Sequence, residues 1–166
     1  MKKLILYILC SLFLSCNICY SAEGYRLTGG VSIDEVPKAL YGSWRVVAKL
    51  RETNNYSTFK PQSVDMWTLS RVGNQVTLSN PFSGANATIS IKTVMGNLIV
   101  FSKKSPYGDK ELTDTITIRL DNNTFSGVNT LTLESFSKID KHSLRKESAT
   151  YEIKGEKISG DNILKD

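Results

Sequence analysis

The spacing of the tight turns constrains the fold of this chain more than any other feature. From Trp44 to Ile158, short turns rich in Gly, Asn and Asp alternate with longer polar connections. In an up-and-down antiparallel sheet, this alternation places every tight turn at one end and every long loop at the other. The tight turns are predicted at Gly73-Asn74, Gly96-Asn97, Asp121-Asn122-Asn123 and Lys154-Gly155-Glu156, and the long connections near 52–64, 80–86, 103–113 and 135–147.

Short segments that alternate between apolar and polar residues lie between these turns. In the first of them, Trp44 and Leu50 point to one side, whereas Arg45 and Lys49 point to the other. This period of two is typical of a β-strand with one buried face. The same pattern recurs along the chain, and it predicts eight strands with a ninth near 157–160.

Strands with one apolar face must bury that face against other strands. A single open sheet would leave half of the apolar residues in water and two edges unpaired, and closure into a barrel removes both problems. A membrane-embedded barrel would need apolar residues on its outer surface. We therefore predict an all-β fold, a single up-and-down antiparallel β-barrel of eight to nine strands, whose outward positions are polar: Arg45, Lys49, Lys92, Thr117 and Arg119.

The first residues resemble an export signal. Lys2 and Lys3 precede an apolar run at 4–14, which is too short to span a bilayer and has the length of a secretory signal core. Export to the periplasm or the medium, with removal of this segment, would leave the mature chain without a transmembrane span. Acylation at Cys16 is one alternative, and an uncleaved membrane anchor is another. We predict a signal peptide at 1–21, a lead-in with a short helical turn at 22–41, the barrel at 42–160 and a tail at 161–166.

Catalytic and metal chemistry find little support in the sequence. All three cysteines lie within the predicted signal, so the mature chain has no disulfide and no thiolate. The one histidine, His142, lies in a charged connection without an evident orienting carboxylate. Zinc ligands and Gly-rich phosphate loops are also missing. We predict no enzyme activity, no metal and no cofactor.

The charge of the chain is modest. The formal net charge is +5, and the cations are scattered apart from Lys103-Lys104 and a group at 138–146. No basic strip with interleaved aromatic residues is present, so the sequence does not predict a nucleic-acid interface.

The entry to the first strand resembles a known family. Gly42-Ser43-Trp44 follows a short helical turn, and this arrangement resembles the Gly-x-Trp entry of lipocalin-like (calycin) barrels. The alternation of short and long loops over about 31–160 is similar as well. The resemblance implies that Gly42 and Trp44 form the closed base of a barrel, and that 52–64 hangs over its open mouth as a lid.

A cation near the end of the last strand belongs to the same family pattern. Lipocalins place an Arg there, stacked on the entry Trp. In this chain no Arg follows Arg145, so Lys154 and Lys157 are the only residues that could take the same place.

A barrel of this size encloses either a filled core or a small cavity, and the sequence leaves both open. If a cavity exists, large apolar residues line its upper half, with a Tyr hydroxyl and an indole N–H as orienting groups. Asp65 and Arg71 share a face of the second strand, where they could form a buried pair or stay in water. The predicted lining residues near the mouth are Leu50, Trp67, Leu78, Ile89, Phe101, Ile116, Leu133 and Tyr151.

Three functions are compatible with these patterns. The favoured one is an exported lipocalin-like barrel that binds a small, mostly apolar molecule. The second is a protein-interaction or inhibitor module without a cavity, which grips its partner with the long loops 52–64 and 135–147. The third is a barrel enzyme, for which the sequence offers no catalytic constellation.

Overall fold

The computed structural model describes residues 31–137, 139 and 142–164. The predicted signal at 1–21, the acylation at Cys16 and the first part of the lead-in lie outside the described residues. The remainder of the lead-in forms two 3₁₀ turns, Ile33–Glu35 and Lys38–Leu40. Leu40 is fully buried and directs the chain into the first strand.

Eight strands form a closed antiparallel ring. Each strand pairs with the next, and the eighth pairs back to the first. The predicted all-β, up-and-down architecture is therefore confirmed. The strands are β1 (Gly42–Thr53), β2 (Gln62–Val72), β3 (Gln75–Ser79), β4 (Asn86–Met95), β5 (Leu98–Tyr107), β6 (Lys110–Asp121), β7 (Thr124–Phe136), β8 (Ser143–Ser159) and β9 (Asn162–Leu164).

The two ends of the ring differ in their connections. Three of the predicted tight turns are confirmed, and we call their end the base. Gly96 (φ 59°) and Asn122 (φ 50°) supply the left-handed backbone that such turns require. We call the opposite end the mouth. The base has the turns 73–74, 96–97 and 122–123, and the mouth has the connections 54–61, 80–85, 108–109 and 137–142.

The long connection predicted at 103–113 is wrong. β5 and β6 stay paired as far as Tyr107 and Lys110, and the chain reverses at Gly108-Asp109. Polar residues in this stretch suggested a loop, yet backbone pairing does not depend on apolar side chains when the strands are already aligned. Tight turns are consequently not confined to the base, since one of them lies at the mouth.

The turn predicted at Lys154-Gly155-Glu156 is also wrong. β8 runs without interruption through Gly155 to Ser159. A side chain at Gly155 would overlap the ring of Phe125, its partner on β7. The glycine therefore makes room for an aromatic ring rather than for a reversal of the chain.

The ninth strand is not at 157–160, because most of that segment ends β8. It is β9, formed by residues 162–164 of the predicted tail. β9 runs parallel to β2 and pairs with Ser70, Arg71 and Val72. It extends the sheet just past Gly42, where the pairing between β1 and β2 stops.

The interior of the base is filled by interlocking aromatic and aliphatic side chains. Trp44 is fully buried, and its indole Nε1 donates a hydrogen bond to the Leu40 carbonyl (2.9 Å). The Phe125 ring lies 5.1 Å from the Trp44 ring, centroid to centroid. Lys157 Nζ lies 5.4 Å from the Trp44 ring centroid and donates to the Ala39 carbonyl. The lead-in thus closes the base.

Candidate functional site

Two adjoining cavities lie in the mouth half of the ring. The larger, which we call the main cavity, has a volume of about 330 Å³. The smaller, which we call the side cavity, has a volume of about 250 Å³. Asp65, Trp67 and Lys103 line both cavities. A wider groove of about 480 Å³ lies at the mouth between the β5–β6 turn and the end of β7, and it is open to solvent.

Polar side chains replace apolar ones on the inner face of three neighbouring strands. Lys103 of β5 is the direct cross-strand partner of Asp114 of β6, and Lys103 Nζ lies 3.6 Å from Asp114 Oδ2. Asn129 of β7 lies diagonally across from Asp114, since Asp114 pairs with Leu131. Only 6% of Asp114 and 8% of Asn129 is exposed. The main cavity therefore has a buried polar wall.

The electrostatics of this wall are dominated by burial. Removal from water raises the pKa of Asp114 to about 6, and the Lys103 ammonium and Asn129 oppose that rise. No described residue donates a hydrogen bond to Asp114 Oδ1 or to Asn129 Oδ1. Most buried polar atoms in proteins have a partner, so two such acceptors in one cavity are unusual.

The first mouth loop, 54–61, folds against β8 across the mouth. Phe59 is buried and lines the main cavity. The Tyr151 hydroxyl donates to the Lys60 carbonyl (3.0 Å), and the Thr58 hydroxyl donates to Glu147 Oε2 (2.6 Å). The hydrogen bond from Thr58 lowers the pKa of Glu147 more than burial raises it. These contacts hold the loop over the cavity.

Three of the eight predicted lining residues line these cavities. Trp67 and Tyr151 line the main cavity, and Leu78 joins Trp67 in the side cavity. Trp67 lies deeper than predicted, because it is the register partner of Trp44 in the middle of β2 rather than a residue near the mouth. Its ring stacks on Phe125 at 6.0 Å and 24°.

The other five predicted residues line neither cavity. Phe101 and Ile116 are fully buried core residues, and Ile89 and Leu133 are nearly so. Leu50 is half-buried and packs against this core. Strands cross a twisted ring obliquely, so residues at the same position along neighbouring strands do not lie at the same height above the base.

Of the polar wall, Lys103 was missed because 103–113 was interpreted as a loop, and Asp114 and Asn129 were not singled out from the sequence. The alternation of inward and outward residues along these strands nevertheless indicated the polar wall. Asp114 is in phase with the inward residues Ile116 and Ile118, and Asn129 is in phase with Leu131. A polar residue in phase with an apolar face indicates either a strand end or a buried polar group, and here it is the second.

The pair of Asp65 and Arg71 is not formed. Asp65 accepts a hydrogen bond from Asn80 Nδ2 (2.7 Å) at the mouth. Arg71 binds Asp34 (2.6 Å) and donates to the Gly73 carbonyl at the base. The two side chains lie on the same face of β2 but bind partners at opposite ends of the ring.

Two other features are absent from residues 31–137, 139 and 142–164. Within these ranges, no group of three or more His, Cys, Asp or Glu side chains is placed to hold a metal ion. The same ranges contain no helix of the length and apolar character that a bilayer crossing needs. His142 is exposed in the connection between β7 and β8.

Comparisons with known proteins return nothing: no protein-family model, no curated protein and no solved structure matches the chain. The structure by itself defines the class, an all-β ring of eight antiparallel strands with a filled base and a hollow mouth half. Function must therefore be argued from the geometry of the cavity.

Proposed function

We propose that this protein binds a small, mostly apolar molecule in the main cavity. The observation that carries the proposal is an interior volume of about 330 Å³ beneath a loop held over the mouth. Volumes of this size are typical of sites for small ligands, which combine apolar walls with a few converging polar groups. Trp67, Leu131 and Val46 supply apolar surface here.

The base supports the more specific proposal of a lipocalin-like barrel. Lys157 lies over the ring of Trp44, which is where those barrels place an Arg. A Lys ammonium over a Trp face makes the same kind of cation–π contact. We further propose that the chain is exported by residues 1–21, with lipid attachment at Cys16 as the alternative.

Binding can be tested with a fluorescent fatty-acid probe and with native mass spectrometry of the purified protein. We expect the probe to gain fluorescence, an unlabelled apolar competitor to displace it, and Trp67 emission to respond. Trp67→Ala should weaken binding, whereas Trp44→Phe should leave the affinity of the folded protein unchanged. A lack of any bound molecule in both experiments would contradict the proposal.

A second candidate function is a protein-interaction module that uses the mouth. Each of the four mouth connections carries or adjoins one large exposed hydrophobic side chain: Tyr56 (77% exposed), Phe82 (82%), Tyr107 (63%) and Ile139 (95%). The two-residue base turns consist only of Gly and Asn. Val72 and Met95 adjoin base turns and are exposed as well, but the three most exposed large hydrophobic residues, Ile139, Phe82 and Tyr56, lie in mouth connections and favour a protein partner there.

The two functions predict different effects of one variant. Serine at Tyr56, Phe82 and Tyr107 should leave uptake of the probe intact if the cavity is the functional site. If the variant keeps its fold and its probe binding but loses a partner captured by the wild-type protein, the interaction module becomes the better account.

A further inference from the structure

We propose that the cavity selects a ligand whose polar end donates hydrogen bonds, so that alcohols and amines bind in preference to carboxylates with the same apolar body. The inference rests on the proposed function and names the ligand class for that site. Its basis is the pair of buried acceptors, Asp114 Oδ1 and Asn129 Oδ1, which no described residue satisfies.

The burial of these two unsatisfied oxygens costs free energy. More than nine-tenths of Asp114 and of Asn129 is inaccessible. A buried acceptor without a donor loses its hydrogen bonds to water and gains none in return, so a ligand that supplies a donor recovers that free energy on binding. A carboxylate has acceptor atoms only and cannot do so.

The placement of the two acceptors suits one ligand group. Asp114 pairs with Leu131 and Asn129 pairs with Ile116, so the two polar residues are diagonal neighbours on the inner face of adjacent strands. Diagonal neighbours are close enough for long or polar side chains to meet, and a hydrogen bond joins Asn129 to Asp114, so one ligand group can contact both side chains. An ammonium group has three donors and can serve both oxygens, whereas a hydroxyl has one.

Four charged residues line the main cavity, and their formal charges balance. Lys60 and Lys103 are cationic, whereas Asp65 and Asp114 are acidic. Lys103 Nζ lies 3.6 Å from Asp114 Oδ2, and Asp114 Oδ1 has no hydrogen-bond partner among the described residues. The cavity therefore does not demand a ligand of one charge. The selectivity for ligands therefore depends on whether the polar end of the ligand donates or accepts hydrogen bonds.

Three ligands with one chain length separate the possibilities: octylamine, 1-octanol and octanoate. Isothermal titration of the purified protein near neutral pH should give dissociation constants for the amine and the alcohol at least about tenfold lower than for octanoate, the factor expected from a hydrogen bond to a charged or buried acceptor. Octanoate binding as tightly as the other two would make Lys103 the anchor and overturn the inference.

The outcomes also separate this inference from the proposed function. If all three ligands bind with equal affinity, the cavity is a binding site and only the selectivity fails. If none of them binds and the fluorescent probe does not bind either, the proposed function fails together with the inference.

Two variants and one control test the named acceptors. Asn129→Leu should lower the preference for both amine and alcohol, and Asp114→Asn should lower the preference for the amine in particular. Asp121→Asn makes the same chemical change on an exposed residue at the base end of β6 and should alter neither. Each preference is a ratio of two affinities measured on one protein, so a general loss of stability does not affect it. Unchanged ratios in both test variants would overturn the assignment.

Discussion

The base and the mouth halves of this ring are made from the same eight strands but use their inner faces differently. At the base, Trp44 and Phe125 interlock beneath the lead-in, and buried apolar side chains fill the interior. In the mouth half, Asp114 and Asn129 occupy inward positions and cavities remain. The comparison indicates that the base stabilises the fold, whereas the mouth half holds the cavities in which we propose that a ligand binds.

The contrast follows from what each inward residue contributes. Burial of an apolar ring stabilises the fold in proportion to the area removed from water. Burial of a carboxylate opposes folding unless other groups compensate, and the raised pKa of Asp114 reflects that cost. A fold tolerates such a cost when another region supplies the stability, which here is the base.

The largest expected effect is the loss of the base aromatic. Trp44→Ala should lower the free energy of unfolding by about 3 to 5 kcal/mol, because it removes a fully buried ring together with its contacts to Phe125 and Lys157. Leu131→Ala, at a half-buried position in the mouth half, is the matched comparison and should cost clearly less. Urea unfolding of both variants measures the difference, and equal losses would mean that the two halves are equally packed.

A glycine at the base gives the next largest effect. Gly155→Ala should destabilise the protein by about 1 to 3 kcal/mol, since the new methyl group would overlap the Phe125 ring. Gly160→Ala is the control, because a Cβ there meets nothing and the change should stay within about 0.5 kcal/mol. Thermal unfolding compares the two, and a harmless alanine at Gly155 would refute the packing role that replaces the predicted turn.

The mouth half should show a smaller effect that depends on pH. The folded-state pKa of Asp114, about 6, lies above the ordinary aspartate value of 3.8, so the native state takes up the proton first. Stability should therefore rise by about 1 kcal/mol as the pH falls from about 7 to about 5. Asp114→Asn should abolish this rise, whereas Asp121→Asn should preserve it. A wild-type stability that falls steadily over that interval, or the same profile in Asp114→Asn, would contradict a buried carboxylate.

Much of the ring could be predicted from the sequence, because local chemistry determines it. Turns such as Gly73-Asn74 and Gly96-Asn97 require left-handed backbone, and Gly and Asn adopt it most readily. The alternation of Trp44 and Arg45 specifies which face of β1 is buried. Architecture follows from these short-range signals.

The predictions that were wrong concern residues whose environment is determined by a neighbour on another strand. Gly155 looked like a turn residue, yet it is required by Phe125, thirty positions earlier in the sequence. Lys103 looked like part of a loop, yet it lies opposite Asp114 inside the ring. Such pairings depend on register, which a single sequence does not specify, and the candidate site depends on them more than the fold does.

The chain offers a direct probe of the boundary between the two halves, because Trp44 fills the base whereas its register partner Trp67 lines both cavities. In a ¹H–¹⁵N correlation spectrum, each indole N–H gives its own signal, and both can be followed while 1-octanol is added. The account predicts that the Trp67 signal shifts and saturates, and that the Trp44 signal shifts clearly less. A shift confined to Trp44, or two signals that do not move, would contradict a hollow, ligand-binding mouth above a closed base.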